Sequence, residues 1–175
     1  MVHTVLGSSW LPSWFLSALC PALSRGMSVR WIDAGHDFDG PGLDRTARYS
    51  GADPRRVMGR VQLERPSDPF QLEVLLRHAT LRGAPTVVSD PLALLYDERL
   101  PEEDAKRAAP RLAKALKELP ADCVVLSVSR HAPPSRLALG EAVLAASDRV
   151  VTLREEDGPL SLATLGCEDL TLAAC

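Results

Sequence analysis

Short apolar runs rich in Val, Leu and Ile alternate along this chain with longer amphipathic stretches, and that alternation constrains the fold more than any other feature. A short apolar run favours a strand, and an amphipathic stretch between two runs supplies the crossover helix that lets neighbouring strands lie parallel. The runs predict strands over residues 2–6, 28–33, 57–63, 86–89, 123–128 and 149–153. Helices are expected over 11–24, 42–50, 69–82, 102–118 and 135–146. Residues 160–165 and 170–173 read as antiparallel strands at the C-terminal end. The expected fold is α/β in three layers: a mostly parallel central sheet with helices on both faces.

Individual helices carry their own signals. The stretch after Ser67 or Asp68 places Phe70, Leu72, Val74, Leu75, Leu76 and Leu81 along an apolar side fit to cover a sheet. Glu102, Glu103 and Asp104 open the next helix and Lys114 and Lys117 lie toward its end, matching the helix dipole. With 175 residues, no internal repeat and no linker-like tract, the chain reads as one domain over 1–175.

Composition narrows the function classes. Hydrophobic residues at 46% and charged residues at 25% match ordinary globular usage, and a formal net charge of -3 gives the chain as a whole no reason to seek phosphate backbones. Any nucleic-acid contact must then come from a local patch. Cys20, Cys123, Cys167 and Cys175 are scattered without a CxxC pair, so neither a zinc site nor a disulfide framework is indicated, and a reducing cytoplasm is the expected location. Cys20 and Cys123 fall in apolar stretches and read as small core residues. The apolar segment from Leu11 to Ala22 is interrupted by Pro12 and Pro21 and follows no Lys or Arg, so a buried helix is expected there and no membrane partner.

The turn after the first strand reads Gly7-Ser8-Ser9-Trp10-Leu11-Pro12-Ser13-Trp14. A phosphate-cradling loop would end in glycine, lysine and a hydroxyl residue, so that backbone amides and an ammonium group meet the phosphates. Pro12, Ser13 and Trp14 hold those places: proline has no N–H, serine no positive charge, and two indoles claim the space of a triphosphate. The same octapeptide also suits a capped, apolar first helix that never held phosphate. Trp10 and Trp14 are then either a plug of core side chains or an exposed anchor for a partner.

Two strand ends carry a resemblance. Trp31-Ile32-Asp33-Ala34-Gly35-His36 and Thr86-Val87-Val88-Ser89-Asp90 resemble the second and fourth strands of the RecA/RadA recombinase ATPase core. Segments 52–57, 65–72, 123–129 and 146–153 resemble later parts of that core in the same order, so the likeness spans roughly residues 1–165. It implies a RecA-like domain in which Asp90 matches the aspartate near magnesium. Gly35 stands where the water-orienting glutamate belongs, and Ser129 or Arg130 where a phosphate-sensing amide is expected. The family's two DNA-binding loops would fall near 96–101 and 130–136, giving Arg130, His131 and Arg136 as candidate phosphate contacts. Family members also polymerise through a segment ahead of the first strand; this chain opens at that strand, so assembly by that route is not expected.

Loss of the lysine and the glutamate together removes most of what lowers a phosphoryl-transfer barrier. The resulting expectation is a pseudo-ATPase without cofactor, whose vestigial site comprises Gly7, Pro12, Ser13, Trp14, Gly35, Asp90 and Ser129. It would act as an interaction or regulatory subunit for a protein partner or a second copy of itself, with recombination, repair or the damage response as the field the resemblance implies. The alternative is an atypical nucleotide-dependent hydrolase working at the strand ends of Asp33, Asp90 and Ser129. Asp33, Asp37, Asp39 and Asp44 around His36 would suit a hard cation, but they also fit loop and cap chemistry, and no metal is expected. His131 and Asp148 with a serine lack any nucleophile elbow.

Overall fold

The computed structural model describes residues 2–79, 85–119, 123–128 and 132–153. These form β1 (Val2–Gly7), α1 (Leu11–Ser24), β2 (Val29–Asp33), α2 (Gly40–Tyr49), α3 (Pro54–Met58), β3 (Val61–Glu64), α4 (Pro69–Ala79), β4 (Thr86–Ser89), α5 (Pro91–Tyr96), α6 (Glu102–Lys117), β5 (Cys123–Val128), a 3₁₀ turn (Pro134–Arg136), α7 (Leu137–Leu144) and β6 (Arg149–Thr152). The strands make one six-stranded sheet in the order β3-β2-β4-β5-β1-β6, and every pairing within it is parallel. The antiparallel strands expected over 160–165 and 170–173 lie outside the described residues.

That order splits the helices into two layers. Connections leaving β1 and β2 travel toward the β3 edge and carry α1, α2 and α3; those leaving β3, β4 and β5 travel the other way and carry α4 to α7. Because such crossovers are right-handed, opposite directions of travel put the helices on opposite faces. Alternate residues of each strand serve the two sides. Trp31, Val87, Val124 and Leu126 join Leu16, Leu19, Leu43 and Val57 in one core, while Ile32, Val88, Cys123 and Val125 join Leu72, Leu95, Leu112 and Val143 in the other. Burial on both faces is why the central strands read as unbroken apolar runs.

Most helix starts have a local cause. Asp39 caps α2 by accepting the Gly42 N–H at 2.8 Å. Asp68 accepts the Phe70 and Gln71 amides at 2.9 Å each, while the Gln71 side chain accepts the Ser67 N–H at 3.0 Å, a reciprocal cap.

Two expectations need correction and one element was not expected. Residues 57–60 are not strand: Asp53 accepts the Arg55 N–H at 2.9 Å and Pro54 opens a short helix, α3, which buries Val57 completely. Asp-Pro as cap and first helical residue was the signal, and it outweighs the β propensity of Val57. The apolar residues after Asp90, for which no element was expected, form α5, again with a proline in the first turn. The last helix is shorter than 135–146, because Pro134–Arg136 makes a 3₁₀ turn before α7.

Candidate functional site

The carboxyl end of β1 is closed by its own side chains. A side chain built on Gly7 would meet Leu11 Cβ at 3.2 Å, so Leu11, fully buried, lies directly over the strand end. The Leu11 N–H donates to Ser8 O at 3.0 Å and the Trp14 N–H to Trp10 O at 2.9 Å. Pro12 has no N–H. Of the amides of the first turn of α1, only that of Ser13 is left to face a ligand, whereas a phosphate cradle needs several converging on one point.

Aromatic rings extend away from this turn. Trp10 and Trp14 meet edge to face at 6.1 Å, Trp14 and Phe15 at 6.3 Å and Trp31 and Phe38 at 5.7 Å, while Phe15 and Trp31 meet at a tilt at 6.5 Å. Trp31 and Phe15 are core, and Trp10 and Trp14 are half-buried against it. Both tryptophans are thus partly packed against that cluster, and among the described residues the Trp10 indole N–H is buried without an acceptor.

The carboxyl ends of β2 and β4 are different in kind. The connections leaving these neighbours run to opposite faces, which opens a crevice where ligands of parallel α/β sheets bind. Asp33 and Asp90, both fully buried, end the two strands. Asp33 accepts the Asp37 N–H at 2.9 Å and the Arg65 Nε–H at 2.9 Å. Asp37 folds back over β4 and accepts the Ser89 hydroxyl at 2.6 Å, leaving its second oxygen buried with no hydrogen-bond partner. Burial pushes the Asp37 carboxyl up to about 6; the nearby Asp33 and Asp90 carboxylates add to the rise, and the Ser89 hydrogen bond opposes it.

Backbone strain gathers here too. Among the described residues, His36 (φ 55°) and Asp90 (φ 45°) are the non-glycine residues with positive φ, and they lie in the connections that leave the two adjacent strands. Asp90 is held by its N–H on Leu126 O at 2.7 Å, and its carboxylate accepts the Val128 N–H at 3.4 Å. Gly35 is required by close approach: a built Cβ would fall 2.8 Å from an Asp37 oxygen and 2.9 Å from Asp90 Cβ. A cleft of about 480 Å³ opens beside them, lined by Gly35, His36, Ser67, Leu94, Tyr96 and Arg99 among others. Burial and the Asp90 charge raise the Tyr96 phenol, while the paired Arg99 holds Asp97 down near about 2.

The expected site is therefore divided. Gly7, Pro12, Ser13 and Trp14 sit at the β1 end, Gly35 and Asp90 at the β2–β4 end, and Ser129, Arg130 and His131 lie outside the described residues. Arg136 is no free phosphate contact. It is 6% exposed and donates to Leu95 O at 2.8 Å, Asp97 O at 2.6 Å and Leu100 O, pinning the α5–α6 connection. The acidic residues expected around His36 also disperse, since Asp39 caps α2 and Asp44 pairs with Arg48 at 2.8 Å. Among the described residues no group of three or more His, Cys, Asp or Glu side chains is placed to hold a metal. Sequence reasoning missed Arg65, whose role follows only from β3 lying beside β2.

A scan against models of known protein families finds no match to this chain, and a search of curated proteins finds no significant match. Among the described residues no helix is long and apolar enough to cross a membrane.

Proposed function

We propose that this chain is a non-catalytic, RecA-like pseudo-ATPase that serves as an interaction or regulatory subunit, with DNA recombination, repair or the damage response as its field. The observation that carries the reading is the amide inventory at the start of α1: Leu11 and Trp14 spend their N–H groups on backbone carbonyls and Pro12 has none. Triphosphate would thus meet one amide of that turn and no lysine after β1, and the Leu11 side chain occupies the space above Gly7. The field is carried by the resemblance alone.

A protein partner is supported by the β3 edge. Among the described residues β3 pairs only with β2, and Leu63 on it is 38% exposed. Beside it Phe70, Val74 and Leu75 line a hollow of about 630 Å³ edged by Glu64, Arg65 and Asp68, with Val74 51% exposed. An open strand edge next to an apolar hollow suits an added strand that inserts one apolar side chain.

A titration of thermal stability with magnesium and ATP tests the reading. A ligand at a hundred times its dissociation constant adds about 2.7 kcal/mol, a rise of roughly 5–10 °C for a chain of this size. No rise is expected. A second reading, a hydrolase acting at the β2–β4 crevice, is favoured by the strained Asp90 and the raised Asp37. A rise abolished by Asp90→Ala would establish it in place of the first.

A further inference from the structure

The main-chain and side-chain groups of β3 divide cleanly between its paired and its open side. Val29 lies opposite Val61 and Trp31 opposite Leu63, and the Val29 N–H donates to Arg60 O at 2.9 Å. In a parallel ladder of that register the peptide groups of Gln62 turn toward β2, while the N–H and C=O groups of Val61 and Leu63 turn toward the open side. Side chains alternate as well. Val61 and Leu63 share the α1–α3 face with Trp31. Gln62 and Glu64 lie on the α4 face, where Glu64 accepts the Arg30 Nε–H at 3.2 Å and edges the hollow of Phe70, Val74 and Leu75. Arg60, its carbonyl still bonded to β2, continues that alternation and is exposed. Its neighbours Arg30 and Arg65 are paired with Glu64 and Asp33, whereas among the described residues no carboxylate lies within ion-pair distance of Arg60.

Arg60-Val61-Gln62-Leu63-Glu64 is complementary to itself: cation, apolar, polar, apolar, anion. Laid antiparallel on a second copy and centred on Gln62, it sets Arg60 of each copy opposite Glu64 of the other and Val61 opposite Leu63. Opposite charges across such a pair stabilise it and like charges weaken it. Main-chain geometry permits this register, because Val61 and Leu63, whose peptide groups face outward, then exchange both hydrogen bonds. A slip of one residue would set them against groups already turned to β2. The other permitted registers lose the charge match: centring on Val61 puts Arg60 opposite Gln62, and centring on Leu63 puts it opposite Pro66. The hollow suits the same occupant, since Phe70, Val74 and Leu75 can cover the apolar stem of an arginine whose charged end meets Glu64 and Asp68 at the rim. An unrelated strand has no reason to carry the reverse pattern, whereas a second copy carries it by symmetry. We propose that the chain forms a two-fold dimer by pairing β3 antiparallel with β3 of a second copy, which names the partner in the interaction-subunit reading and rests on it. The contact is isologous, so it closes at two copies and joins their six-stranded sheets into one. It also covers an edge that would otherwise invite aggregation.

Sedimentation of the full chain between about 1 and 200 μM tests this, because a contact of this small size should dissociate in the range of tens of micromolar. Arg60→Glu sets like charges opposite each other at both ends of the pair and should weaken the dimer at least about ten-fold. Leu63→Pro deletes an outward N–H, spares the bonds of Gln62 and Glu64 to β2, and should leave monomer at every concentration. Arg60 is exposed, and an unshifted melting temperature of dilute protein shows that the variants fold. Hydrogen exchange resolved by residue needs no variant: the Val61 and Leu63 amides should become protected as concentration rises, while those of Gln62 and Glu64 are protected throughout. Three results would overturn the proposal: monomer at about 200 μM, a dimer that Arg60→Glu leaves intact, or a dimer whose Val61 and Leu63 amides exchange as fast as in the monomer. The pseudo-ATPase reading fails separately, since a stability rise with magnesium and ATP in a chain that dimerises through β3 would sink that reading and support the dimer.

Discussion

The carboxyl ends of β1 and of the β2–β4 pair sit in the same sheet, yet one is sealed with apolar side chains and the other keeps three carboxyl groups and a cleft. At β1 the turn is short, the helix starts at once, and Leu11 takes the space above the strand. At β2–β4 the chain makes a longer excursion from Ala34 to Asp39 before α2, and that loop turns Asp37 inward over Ser89. The contrast teaches that the loop after a strand, more than the strand, decides whether a crevice survives. One end holds stability and the other retains electrostatic tension.

The largest expected effect strikes the sealed end. Phe15→Ala removes the ring between Trp14 and Trp31 and should cost about 3–5 kcal/mol in urea unfolding. A loss below about 1 kcal/mol would mean the rings only line a space that could reopen. Next comes the charged end. Arg65→Met leaves the Asp33 carboxylate, fully buried, without its guanidinium; since Arg65 is 48% exposed, a cost of about 1–3 kcal/mol is expected. Adding Asp33→Asn should recover much of it, and failure to do so would deny that the pair is held by charge.

Asp37→Asn sharpens the contrast through pH. The folded-state pKa of Asp37 is raised from 3.8 to about 6, so its proton-linked stability is fully present below 3.8 and is lost as pH rises through about 6. An amide does not titrate. The variant should therefore match the parent near pH 4 and exceed it at pH 8 by about 1 kcal/mol, once water's partial access to the carboxyl is allowed for. Equal stability at both pH values would show that the carboxyl bears no burial penalty. The smallest effect belongs to Trp10→Phe, which deletes a buried indole N–H that has no acceptor; melting should change by less than about 0.5 kcal/mol either way.

Some of this could be read from residue order. The first, second, fourth, fifth and sixth strands begin and end within about a residue of their apolar runs, and the starts of α1, α4 and α6 agree with their proline, aspartate and acidic signals. A misreading occurred where a proline outvoted propensity, at Pro54. The pairing of Asp33 with Arg65, the enclosure of Asp37 by Ser89 and the spending of Arg136 on three carbonyls gave no such sign, because their partners lie 32, 52 and 36–41 residues away.

Periodicity and capping act within a few residues, so the chain's own order was enough to set its α/β class, its parallel strands and the lack of a lysine after β1. Strand order is a different matter. It depends on which way each crossover travels and on how whole faces pack, and it alone put β3 beside β2 and set Asp37 against β4.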